Sequence, residues 1–332
     1  MSVSDFKRRV HAALLNLLWR QWTRLGVPGH GAGGQGAYVL DPEALLAFSS
    51  RLARYDQRLF DLLIDWLRIN GDYINIQRLK SSALKSPSVD AAALGAIAGH
   101  MSATCGRKWQ KLANDLLPAK NAPPTPLFLH LDPPAGDFVR DQDPLALRYG
   151  FVRNLYRPPG KTTPFPLNDG ASLLLQLRGM FGLSARAETV LILLNHDSCK
   201  IQDIADLSGF AWKSIQDALT ELSASPLVVS HSGAKRGSRF ALKNPGKFRA
   251  LLDAQSVLFP DWRRVFDALA VLWTTIANPR LTSLSEQTFN SEIKRVFADA
   301  IGETFLHAGV SELKYLSPAS IAELPAALDR ID

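Results

Sequence analysis

The sequence predicts a mainly α fold carrying one small β-hairpin, and three observations point to it. Apolar residues recur at helical spacing along most of the 332 residues. Two short β-prone runs, Leu227–His231 and Ser238–Leu242, flank a tip rich in glycine and cations. Eleven prolines crowd positions 118–166, a density through which neither a helix nor a central strand can pass. Together they divide the chain into a helical domain (1–118), a proline-rich extended connector (119–167), a helix-and-hairpin domain (168–245) and a helical C-terminal region (246–332).

In chain order, helices are expected at Phe6–Leu25, Pro42–Ala53, Asp56–Asn70, Ile74–Leu84, Asp90–Met101 and Arg107–Leu117. Asp41-Pro42 is a helix-start signal, with the proline in the first turn. Leu59, Leu62, Leu63, Trp66 and Leu67 make a wide apolar stripe on the third helix. Arg51, Arg54, Arg58, Arg68, Arg78 and Lys80 read as solvated helix faces. Within the connector, Leu127–Leu131 and Leu145–Tyr149 are apolar enough to bury, so the segment should lie ordered across the N-terminal helices. A helix at Asp169–Met180 then leads into the hairpin domain. Beyond it, helices are expected at Lys247–Leu258, Trp262–Ala277, Glu286–Ala300 and Ser317–Asp329.

The stretch from 184 to 243 carries the functional signal. Ser184 is placed to cap a first helix ending at Asn195, with Ala187, Val190, Leu191 and Leu194 on one face. A second helix, Lys200–Ser208, turns Ile201, Ile204 and Ala205 inward, and Gly209 closes it because glycine reaches positive φ without steric cost. Ile215, Ala218, Leu219 and Leu222 form the buried stripe of a third helix, which leaves Trp212, Lys213, Gln216, Asp217 and Thr220 facing outward. Lys213 and the positive helix N-terminus suit a phosphate, Gln216 suits adenine, and Asp217 suits the amino group of cytosine. Trp212 either meets a thymine methyl or packs beneath the hairpin. Lys235, Arg236 and Arg239 at the hairpin would lie against the DNA backbone.

The Ala205/Gly209 turn, Ser214-Ile215, Leu219, Leu222 and the basic hairpin resemble the winged helix-turn-helix of MarR/ArsR-like regulators. The likeness is confined to residues 184–243. Ala211 departs from it, because a Ser or Thr helix cap often stands there. The resemblance implies a duplex-DNA-binding transcription regulator of bacterial type, with the third helix in the major groove and the wing on phosphates. It also implies a homodimer matched to two half-sites, for which the apolar C-terminal helices are candidates. Winged helices serve as protein-docking modules too, so an interaction subunit is the second expectation, with an exposed Trp212 as its anchor.

Composition fits that picture. A net charge of +7 agrees with a polyanionic partner. Two cysteines, Cys105 and Cys199, make neither a disulfide framework nor a zinc site, which suits the cytoplasm. No apolar run approaches the ~18 residues of a membrane span. The basic, then apolar start up to Leu18 reads as an amphipathic helix rather than a leader, because Asn16 and Trp19-Arg20-Gln21-Trp22 interrupt it.

Enzyme motifs fail on context, so no catalytic residue, cofactor or metal is expected. Gly31–Gly36 fits GxGxxG, but a helix precedes it and no helix opens directly after. Pro159-Gly160-Lys161-Thr162 lacks the leading glycine of a phosphate loop, and its prolines remove amides that would cradle phosphate. The seven histidines show no metal-ligand spacing, and Asp137, Asp141 and Asp143 read as solvated carboxylates. Cys199 reads as a packing residue.

Overall fold

A computed structural model describes residues 2–29, 36–83, 85–119, 123–131, 139–231, 238–252, 258–283 and 285–331. Side-chain caps start most of the N-terminal helices. Ser2 accepts from Asp5 N before α1 (Val3–Arg24), and Asp41 accepts from Glu43 N and Ala44 N before α2 (Pro42–Leu52). Asp56 caps α3 (Gln57–Asn70), Asn75 Oδ1 accepts from Gln77 N and Arg78 N at α4 (Ile76–Ala83), and Asp90 caps α5 (Ala91–Cys105). Such caps contribute about 1 kcal/mol each. Gly106, at φ 91°, turns the chain into α6 (Arg107–Asp115).

The described parts of the connector lie on these helices, as their apolar runs require, but they are not extended throughout: a short helix opens at Pro144, where proline takes the first helical position. β1 (Thr125–Pro126) pairs in parallel with β2 (Phe151–Val152), and α7 (Pro144–Arg148) sits between them. Gly95 and Gly99, one turn apart on α5, leave room for the Tyr149 ring, which would stand 2.7 and 2.8 Å from added Cβ atoms. Its hydroxyl donates to Ala113 O at 2.9 Å. Asp65 on α3 accepts from Lys161 N, Thr162 N and Thr162 Oγ1, and Asn70 holds Thr163 and Phe165. The amides of Lys161 and Thr162 are thus spent on the protein's own carboxylate, so they cradle no phosphate. Asp143 is buried rather than solvated: it caps α7, accepts from Tyr156 N and faces His100 Nε2 at 3.3 Å. Burial opposes its charge, but His100 and these amides hold its carboxyl well below the usual range. Asp141 is exposed, and Asp137 lies outside the described residues, as do Gly31–Gln35.

α8 (Leu173–Phe181), α9 (Ala185–Asn195), α10 (Ile201–Ser208) and α11 (Trp212–Ala224) follow, then the antiparallel hairpin β3 (Val228–His231) and β4 (Arg239–Leu242), then α12 (Pro245–Leu251). Their apolar faces share one core with Val39. The remaining helices are α13 (Trp262–Ala277), α14 (Pro279–Thr282), α15 (Glu286–Val296), α16 (Gly302–His307) and α17 (Leu324–Arg330). A π-helical turn, Phe297–Ile301, joins α15 to α16.

These last helices are not a separate region. They share a single core with α1–α6 and the connector, so the helical body is built from both ends of the chain. Phe266 stacks on Phe48 at 4.8 Å, the Trp262 indole donates to Val39 O, and Arg20 donates to Leu328 O. Both flanks of α13 are thereby buried within one chain. The apolar stripe expected to pair two copies is already covered.

Body and hairpin domain meet through a buried charge network. Arg178 on α8 grips Glu43 at 2.6 and 2.8 Å, Glu188 on α9 at 2.7 Å and Tyr73 O at 2.7 Å. Arg78 on α4 binds Asp41 Oδ2 at 2.6 Å, Glu43 Oε2 at 2.5 Å and Ser208 O at 2.8 Å. Arg78 is therefore not on a solvated face; it is 5% exposed. Two other cations expected in solvent are also engaged, with Arg54 on Asp90 and Lys80 on Asp115 at 2.6 Å each. Burial alone would raise the Asp41 carboxyl; Arg78 and the Ala44 amide outweigh it and hold it below its usual value. Desolvation opposes the Arg178 charge, yet Glu43 and Glu188 push its pKa up, so the guanidinium stays charged.

Two outcomes follow. Arg178→Ala removes the only cation among the described residues that is hydrogen-bonded to the buried Glu188 and leaves Glu43 with Arg78 alone, and should cost about 3–5 kcal/mol, read as a lower urea midpoint. His11 sits between the rings of Tyr55 (4.8 Å) and Trp273 (5.2 Å), and burial, with Lys7 adding to it, pushes its pKa down to about 4. A depressed histidine binds fewer protons folded than unfolded, so stability is complete above about pH 6.5 and declines as pH falls toward 4. His11→Phe should flatten that slope in denaturation measured at pH 7, 6 and 5.

Candidate nucleic-acid interface

The exposed face of α11 is set by what its other face buries. Ile215, Ala218, Leu219 and Leu222 lie in the core against α9 and α10. Gly209 ends α10 at φ 73° and ψ 12°, its N–H bonded to Ala205 O at 2.9 Å. That left-handed turn swings the chain directly into α11. Ala211 offers no side-chain cap, so the first amides of α11 have no such acceptor, and residues 211–214 are exposed. An uncapped helix N-terminus is a ready anion site.

The five predicted reading residues share that face. Trp212 is 47% exposed and does not tuck beneath the hairpin. Lys213 bridges Asp217 at 2.9 Å and donates to Gln216 Oε1 at 3.3 Å. The Lys213–Asp217 pair offsets the charge of the carboxylate expected to read cytosine. Gln216 is half-buried. Thr220 is exposed, but its hydroxyl donates to Gln216 O at 2.9 Å, so it offers a ligand only lone pairs and a methyl.

The hairpin is tied to the helices by a third stretch of backbone. Cys199 N donates to Phe240 O at 2.9 Å and Phe240 N to Cys199 O at 2.8 Å, just ahead of α10. Arg239, expected on the DNA backbone, is turned onto this bridge instead: Nε reaches Ser198 Oγ at 2.8 Å and Nη2 reaches Ser198 O at 2.5 Å. It is a strut that fixes the hairpin against the loop before α10. Sequence reasoning saw only a cation near the tip, because the strand register that aims it inward involves Ser198, 41 residues away. Lys235 and Arg236 lie outside the described residues.

Cys199 is buried, and desolvation, with Asp203 adding to it, pushes its thiol up to about 11, so it packs as a neutral thiol. No group of three His, Cys, Asp or Glu able to hold a metal occurs among the described residues. No described helix is long and apolar enough to cross a membrane.

Comparison with protein-family models, curated proteins and solved structures returns no match.

Gly209→Ala forces a Cβ into the left-handed region and to 2.9 Å from Arg263 Nη1; the backbone penalty alone is about 1–2 kcal/mol, and Tm should fall accordingly. Arg239→Ala should destabilise by about 1.5–3 kcal/mol, the value of hydrogen bonds from a charged group. The same urea titration measures it.

Proposed function

We propose that residues 184–243 are a winged helix-turn-helix and that the chain is a cytoplasmic, sequence-specific regulator of transcription acting on duplex DNA. The observation that carries this reading is the α11 face: an uncapped N-terminus with a lysine and a glutamine one turn apart, beside an exposed first turn. The amides and Lys213 suit a phosphate, and Gln216 suits a base edge in the major groove. The bridge of Cys199 to the hairpin supports it, because a wing must be rigid at its root to hold basic tip residues on the flanking backbone.

A second reading has one specific observation in its favour. Trp212, a large exposed aromatic on the same helix, is the kind of residue that anchors a protein interface. In that case the winged helix docks a partner protein.

Fluorescence anisotropy on random duplex and on the DNA upstream of its own gene, from 50 to 300 mM salt, separates them. The DNA reading expects a steep salt slope and preference for the upstream DNA. Lys235→Ala with Arg236→Ala should weaken binding to every sequence and lower the slope by ~0.9 for each phosphate no longer neutralised. Gln216→Ala should instead erode preference by ~1–3 kcal/mol. Absence of binding at 50 mM salt would remove the DNA reading and leave the docking one.

A further inference from the structure

Where α2, the loop after α4 and the first turn of α13 meet, the body forms a cavity of about 390 Å³ that opens to solvent. Ala44 and Ala47 form its small-residue floor, and three cations, Lys85, Arg263 and Arg264, line it. The one carboxylate among its lining residues, Asp267, is already occupied: it accepts from Ser86 Oγ and from Ser88 N at 3.3 Å. Asp261 beneath α13 takes the Nε of Arg264 at 3.3 Å, which leaves the outer nitrogens of that side chain for a ligand. Lys85 has no partner among the described residues, and the buried Nε of Arg263 has none either. A buried donor without an acceptor is costly, and a concave site with surplus positive charge is where an anion relieves that cost.

We propose that this cavity binds a phosphorylated small molecule, its phosphoryl oxygens held by Lys85, Arg263 and Arg264. A planar guanidinium fork beside a compact ammonium is suited to a phosphoryl dianion, and the volume admits a ligand larger than the anion alone. The site also touches the element read as DNA-binding. Arg263 Nη2 donates to Asp206 O in the last turn of α10, and Nη1 stands against Gly209, at the turn into α11. A phosphoryl group that draws Arg263 toward the cavity withdraws this brace from the turn, so occupancy alters the pose of α11. That coupling rests on the DNA-binding reading; the site itself does not.

The test is isothermal titration calorimetry of the full chain with sodium pyrophosphate at constant ionic strength. Lys85→Ala and Arg264→Ala are the variants, because both side chains are exposed and neither braces the turn. The expected result is saturable one-to-one binding, weakened about tenfold by each variant, as for loss of one charge-assisted hydrogen bond. Unsaturable heats, or binding that both variants leave unchanged, would overturn the proposal. Duplex anisotropy on the same proteins separates the sources of phosphate. If the variants lose duplex affinity while pyrophosphate gives no saturable heat, the cations serve the DNA backbone and the cavity is not a ligand site. If pyrophosphate binds one-to-one and the wild type ignores DNA, the site stands and the DNA-binding reading falls.

Discussion

The structure depends on five buried charges. Asp41, Glu43, Arg78, Arg178 and Glu188 are drawn from α2 and its cap, α4, α8 and α9, and their ion pairs join all of these elements at one point. Arg178 and Glu188 belong to the hairpin domain, and the other three to the helical body. Replacing such a network by apolar residues of equal volume is often neutral for stability, so its value here is geometric. A guanidinium accepts a carboxylate in one fork-on-fork pose, whereas an apolar interface tolerates sliding. The network therefore fixes the orientation of α8, α9 and the end of α10 on the body.

That orientation decides what remains free. With α9 and α10 clamped from behind, α11 is held by its inner stripe, and its outer face and N-terminus stay open. Arg78 reaches Ser208 O and Arg263 reaches Asp206 O, so two cations from the body hold the C-terminal carbonyls of α10, where the helix dipole favours positive charge. The turn at Gly209 is thus braced by the body rather than by the hairpin domain alone. A change at the α13 first turn has a short physical route to α11.

Much of the local structure was legible in the sequence. Trp262–Ala277 is a helix over the whole span expected, since its apolar stripe is wide and Asp261 and Asn278 bound it. The α9–α10–α11–hairpin order was equally plain, because glycine, proline and the two strand runs punctuate it. Register at the hairpin was not: the aim of Arg239 depends on Ser198 across a loop. Nor was the fate of Arg78, which stands between Gln77 and the buried Leu79 and whose partners lie 35 and 37 residues before it and 130 after. The three serines and three cations of the cavity come from separated segments with no common spacing, so no motif announces them.

The sequence by itself determined most of the longer helices, the hairpin and the face of α11 that is left polar; it did not determine the start of α9, where Ser184 caps no amide and its hydroxyl donates to Phe181 O instead. What it determined follows from residues within one or two turns of each other, where backbone sterics and apolar period act. Only the tertiary structure decided that the two ends of the chain build one body, that five charges clamp the hairpin domain to it, and that Arg239 and Arg78 face inward. Those outcomes hang on pairings between distant segments. A single arginine carries the same code whether it ends in water or on a buried carboxylate, and which of the two it meets is settled when the segments close around it.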